Sequence, residues 1–140
     1  MAKRILNMKP SELKNLSKEE MISAIAGSEG RTLVCETIGI TVPMLTDVTN
    51  AEFASSMGAD MILLNMFDVQ NPMIFALPEV DKMETVREVK RLTGRMVGIN
   101  LEPVDDALAS DNAETIWAMS AGRRATVENA VLAQKMGVDM

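Results

Sequence analysis

Two hydrophobic periods alternate along this chain, one near 3.6 residues and one of near-continuous apolar runs, and their switches mark out helices and strands. Ser17-Lys18-Glu19-Glu20 reads as a capping box, with Ser17 bonding the amide three residues on and Glu20 reaching back. The helix it opens carries Met21, Ile22, Ile25 and Ala26, and Gly27 is placed to end it. Residues 32–38 follow, rich in β-branched types and nearly continuous in apolar character except at Glu36. That is the pattern of a strand covered on both faces. Asp47 and Asn50 are suitable caps for a short helix holding Phe53, Ala54 and Met57 and ending at Gly58. Residues 61–66 form a second buried-type strand. A loop with Pro72 and Pro78 leads to a helix over 81–92, with Met83, Val86, Val89 and Lys90 at helical spacing and Gly94 at its end. Residues 96–101 make a third strand, closed by Pro103, which removes a donor. After a loop of mixed polarity, Thr126 caps a last helix through Val127, Ala130, Val131, Ala133 and Met136, which Gly137 ends.

Strands alternating with helices favour a parallel sheet. The chain also matches itself. Residues 51–61 resemble residues 130–140, each stretch running from a helix into Met-Gly, one small or apolar residue, Asp and Met. Met57 and Met136 stand 79 residues apart, close to two units of a barrel in which about 250 residues hold eight. In the first copy the final Met opens a strand. The expected fold is therefore α/β, a parallel (β/α) barrel of TIM type truncated to about its first half. Residues 1–9 form an N-terminal arm, and 10–140 a partial barrel that ends at the start of strand 4. A flavodoxin-like open sheet is the alternative.

Composition narrows the function. The net charge of −6 argues against nucleic acid, whose affinity rests on cations neutralising phosphates, and against an anionic membrane surface. No stretch approaches the ~18 apolar residues of a membrane span, and the basic N-terminus leads into no signal-type apolar run. A single cysteine permits no intrachain disulfide and suits a reducing, cytoplasmic setting. With no histidine, Ser-His-Asp triads and histidine metal sites are excluded for these residues. The 13 methionines and 3% aromatic content imply a core of aliphatics and adaptable thioethers.

Active sites of parallel α/β folds lie at the carboxyl ends of the strands. Glu36 and Thr37 end the first strand, Asn65 and Asp68 the second, Asn100 and Glu102 the third. The carboxylates recur at 32 and 34 residues, which would bring three acids to one rim. There they could hold a divalent cation through oxygen ligands or divide acid and base roles. Glu36 is the sharpest candidate, since a carboxylate in an apolar strand is costly to bury unless paired or used; the structural alternative is an ion pair with Arg31 or Arg95. Asn65 and Asn100 could orient a substrate or simply tie loop backbone. Asp68 and Glu102 are candidate metal ligands, against the alternative of solvated loop acids. Asp47 reads as a helix cap, Cys35 as an inert core thiol, and Gly122-Arg123-Arg124 as a solvated basic turn rather than an anion site. No Walker or dinucleotide loop is present.

At Arg31-Thr32-Leu33-Val34-Cys35-Glu36, across 58–72 and across 92–103, the chain resembles a bacterial family often found near sugar phosphotransferase-system genes. Its members carry the labels haloacid dehalogenase-like and phosphoenolpyruvate phosphonomutase-like. The resemblance covers nearly all of the chain and implies a further C-terminal half. The first label requires an Asp-x-Asp motif, and Asp47-Val48-Thr49 lacks the second acid. The second implies a (β/α) barrel with Mg²⁺ held by acids at the strand ends, in keeping with the rim described above. The expectation is a metabolic enzyme, a Mg²⁺-assisted lyase, isomerase or hydrolase acting on a small phosphorylated or carboxylated metabolite. Glu36, Asn65 and Asn100 would carry the catalysis, Asp68 and Glu102 the metal. The alternative is a non-catalytic regulator that binds a sugar phosphate on the same rim. A small-molecule metabolite is the expected partner, a homo-oligomer is compatible, and neither nucleic acid nor membrane is expected.

Overall fold

A computed structural model of the chain describes residues 3–104 and 119–140. Most of its helices begin where a side chain or a proline settles a free backbone amide. Helix α1 (Pro10–Leu13) has proline at its start, where no amide is needed. Helix α2 (Lys18–Ala26) opens on the Ser17 box: Glu20 N–H donates to Ser17 Oγ at 3.2 Å, and Ser17 N–H to the Glu20 carboxylate at 2.8 Å. The Ser17 amide holds the Glu20 carboxyl below its usual range. Its contribution is thus present at neutral pH and lost as pH falls through the folded-state value. Strand β1 (Val34–Ile38) leads to helix α3 (Asn50–Ser56), and strand β2 (Met61–Asn65) to helix α4 (Thr85–Thr93). Strand β3 (Met96–Ile99) precedes helix α5 (Val127–Met136), which Thr126 caps.

The three strands form one parallel sheet in the order β1-β2-β3, with Val34 opposite Met61 and Met61 opposite Met96. Side chains alternate across it. Ile62, Leu64 and Val97 point to the helical side and pack with Ala51, Val86, Val89, Ala133 and Met136. Each large side chain so buried contributes about 1.5–3 kcal/mol. On the other side, Met61 and Met96 are buried against Ile5, Leu13 and Ala24. The N-terminal segment therefore plugs the amino-terminal end of this second face. The stretch expected as an arm docks through Ile5, 4% exposed.

The internal repeat does one mechanical job twice. Gly58 (φ 101°) and Gly137 (φ 92°) take the left-handed turn off α3 and α5. Asp60 then clamps Leu33: Leu33 N–H donates to Asp60 Oδ2 at 2.8 Å, and Asp60 N–H to Leu33 O at 2.9 Å. Asp139 clamps Val97 identically, at 2.9 and 2.8 Å, and Ile99 N–H donates to Met140 O at 3.0 Å. Residues 139–140 thus lie against β3 as Asp60 and Met61 lie against β1. Asp139 also pairs with Lys90 at 2.7 Å, both side chains 19% exposed. Asp139→Ala is expected to cost about 2 kcal/mol in urea unfolding, and Asp60→Ala, with one carboxylate bond, about 1 kcal/mol. Equal losses would contradict this account of the two clamps.

Several sequence expectations are corrected. Gly27 has φ −63°, and the left-handed residues are Glu29 and Gly30. The cap of α3 is Thr49, whose partner in the box is Glu52, rather than Asp47 or Asn50; Asn50 Oδ1 instead accepts from Met44 N–H. The helix expected over 81–92 is a 3₁₀ turn (Lys82–Glu84) followed by α4. Among the described residues the expected strand over 32–38 is not covered on both faces: β1 stands at one end of the sheet order, with Val34 45% and the preceding Leu33 55% exposed. The loop of mixed polarity expected after Pro103 lies largely outside the described residues.

Candidate functional site

With its amino-terminal end plugged, the second face of the sheet stays partly accessible toward the carboxyl ends of the strands among the described residues. Glu36, Asn65 and Asn100 lie there. Ile38 pairs with Asn65 and Leu64 with Ile99, so Asn65 falls level with Asn100, and Glu36 sits one alternate position behind on the same face. The three side chains form a hydrogen-bonded row. Asn65 Nδ2 donates to Glu36 Oε1 at 2.9 Å, and Asn100 Nδ2 donates to Asn65 Oδ1 at 3.4 Å. Met66 N–H also donates to Asn65 Oδ1, at 2.8 Å. Because a backbone N–H can only donate, the oxygen of Asn65 must face it and the nitrogen must face Glu36.

Glu36 corrects its own rationale. It is exposed, not buried, and its partner is neither Arg31 nor Arg95. Arg31 pairs with Glu29, and Arg95 donates to Ser55 Oγ. Desolvation is therefore not what marks Glu36; the fixed amide beside it is. Its second oxygen, Oε2, accepts no hydrogen bond among the described residues. Glu12 is held below the usual carboxylate range by Lys3, Glu88 by Arg91, and Glu20 by Ser17.

The other two candidates are engaged in building the rim. Asp68 Oδ1 accepts from Gln70 N–H at 2.8 Å and Asn71 N–H at 2.9 Å, folding the turn after β2. Glu102 accepts from Arg123 Nη2 at 2.6 Å, with Arg123 only 8% exposed at its side chain and Glu102 32%. The basic turn is thus a correction too: Arg123 is buried, not solvated. Glu102 N–H donates to Arg123 O and Ala125 N–H to Glu102 O, so residues 123–125 run beside the extension of β3. Buried Asn129 secures the same strap, donating to Ala121 O and Arg124 O and accepting from Gln70. Glu102→Ala is expected to cost about 2 kcal/mol by urea unfolding, below the 3–5 of a fully buried pair because Glu102 is partly solvated. A Glu102→Ala, Arg123→Met double variant should recover part of that loss.

Among the described residues, no three His, Cys, Asp or Glu side chains gather as a metal-binding group. One oxygen of each candidate ligand is already engaged: Asp68 Oδ1 accepts from backbone amides and Glu102 Oε1 from Arg123. Cys35 is free and half-buried, and it lines an apolar groove with Leu33, Phe53 and Met57 on the opposite face of β1. Its Sγ donates to the backbone O of Glu36 at 3.8 Å, away from the Glu36 carboxylate.

Met66 escaped the sequence reading. It follows β2 with φ 57°, a left-handed conformation that costs a non-glycine residue about 1–2 kcal/mol. Nothing in its type or spacing signals this. No helix among the described residues is long and apolar enough to cross a membrane. No curated protein matches the chain, and no solved structure does. One family model spans residues 6–140, nearly the whole chain, and the chain accordingly belongs to the family described as Domain of unknown function (DUF7916).

Proposed function

We propose that the chain forms part of a (β/α) barrel enzyme in which Glu36 moves a proton on a small polar metabolite. The observation that carries this is the Glu36–Asn65–Asn100 row at the carboxyl ends of three successive parallel strands, the place where such folds carry their sites. The barrel reading draws support from the strand order. A flavodoxin-like sheet would put β1 in the middle, whereas β2 is central here and residues 139–140 extend the series beyond β3. A plug at the amino-terminal end leaves the carboxyl end for the substrate.

Within the row the roles separate. Glu36 Oε2 is the free acceptor for a proton from a carbon next to a carbonyl, or from a hydroxyl. Asn100 and Asn65 offer carboxamide groups for substrate oxygens. Isomerisation or elimination is the reaction class this suits best, in keeping with the phosphonomutase-like resemblance. A phosphate or carboxylate on the substrate would need cations from outside the row, which has none. No step here runs through Mg²⁺.

The test begins with a thermal-shift panel of small hydroxy acids, keto acids and sugar phosphates against the full chain. Each binder is then incubated in D₂O and followed by NMR for deuterium entering at carbon. Enzyme-dependent exchange supports the reading. Binding without exchange would instead support a regulator that senses the metabolite, and no binding across the panel would sink both.

A further inference from the structure

We infer that Met66 is a positioning residue, whose left-handed backbone sets the sense of the Asn65 carboxamide and so presents an N–H donor to Glu36. The role assigned to Glu36 rests on the proposed function; the geometry of the device does not. Met66 has φ 57°, and its N–H donates to Asn65 Oδ1 at 2.8 Å. Strand β2 fixes the chain on one side of the Asn65–Met66 peptide. On the other, Phe67 is 3% and Val69 2% exposed, both in the core. With both flanks held, the peptide plane has two orientations, reached by counter-rotating ψ of Asn65 and φ of Met66. Negative φ at Met66 turns the plane over and carries its N–H away from the Asn65 side chain.

The consequence falls on Glu36. In the observed orientation two donors, Met66 N–H and Asn100 Nδ2, converge on Asn65 Oδ1, leaving Nδ2 to face Glu36 Oε1 at 2.9 Å. In the turned-over orientation the main anchor of Oδ1 is gone and the carboxamide can rotate. The carboxylate would then meet nitrogen or oxygen, and its free oxygen would lose its fixed direction. Sparsely populated backbone persists where surrounding structure over-determines it, and such positions recur at functional sites.

The experiment reads the device directly. In the wild-type chain, a through-hydrogen-bond coupling between the Met66 amide nitrogen and the Asn65 side-chain carbonyl carbon is expected by NMR. Its absence would overturn the inference without any variant. Solvent exchange of the Asn65 Nδ2 protons is then compared across three substitutions. Met66→Gly and Met66→Asn tolerate φ near +60° and should leave exchange unchanged. Met66→Val, whose branched side chain resists it, should speed exchange by about tenfold, the effect of losing one hydrogen bond. Equal exchange in all three variants would overturn the inference. These readouts need no substrate, so they stand apart from the D₂O assay: exchange into substrate can be absent while the coupling holds, and the reverse.

Discussion

Glu36→Gln is expected to lower the rate of deuterium exchange into a bound metabolite by about a thousandfold, within the 10²–10⁴ range of general-base contributions. The substitution is a clean one because Asn65 is oriented by Met66 N–H and must present Nδ2 toward residue 36. A glutamine there will turn its own carbonyl oxygen to that donor, which places its amide nitrogen where Oε2 stood. The shape survives, but a proton acceptor becomes a proton donor. Since Glu36 is exposed, stability should change by no more than about 0.5 kcal/mol. Binding in the thermal-shift panel should persist. Wild-type exchange in the glutamine variant would remove Glu36 as the base, and a large loss of stability would show that its role is structural.

Gly122→Ala should be the most destabilising of the glycine-to-alanine changes, at about 4 kcal/mol by urea unfolding, above the ordinary overpacking range because a hydrogen-bonded carboxylate must also move. The backbone of Gly122 is not left-handed, so conformation is not the obstacle. Contact is. An added Cβ would overlap Asp68 Oδ1 outright and would meet Asp68 Cγ at 2.7 Å and Gln70 N at 2.8 Å. Asp68 cannot yield cheaply, because Oδ1 holds the Gln70 and Asn71 amides. Nor can the strap, since Val69 N–H donates to Gly122 O at 3.2 Å. Asp68→Gly alone should cost about 1–2 kcal/mol for its lost turn bonds. Combined with Gly122→Ala it should remove the part of the larger penalty that comes from the carboxylate, leaving the contact with Gln70 N, a coupling that a double-mutant cycle measures. Strictly additive losses would show that the clash is relieved elsewhere.

How much of the candidate site was legible in the sequence depends on the range of the forces involved. Glu36, Asn65 and Asn100 could be nominated because polar residues closing apolar strands stand out against a local pattern. That they meet depends on register, which sets Ile38 against Asn65 and Leu64 against Ile99 across some thirty residues of chain each time. Asp68 and Glu102 matched the same spacing rule equally well. Their engagement with backbone amides and with Arg123 follows from where the strap of residues 121–125 lies, which spacing along β strands does not encode.

Local chemistry by itself determined the Ser17 box, the Thr126 cap, the helix-ending turns at Gly94 and Gly137, and the Met-Gly-x-Asp repeat. Each is settled by side chains within a turn of the backbone groups they satisfy. Only the tertiary structure decided that β2 lies between β1 and β3 with Glu36 exposed, that Arg123 is buried on Glu102, and that Met66 holds Asn65 toward Glu36. Those outcomes depend on strand order and on which distant segments close over a given surface, and no window of a few residues contains that information.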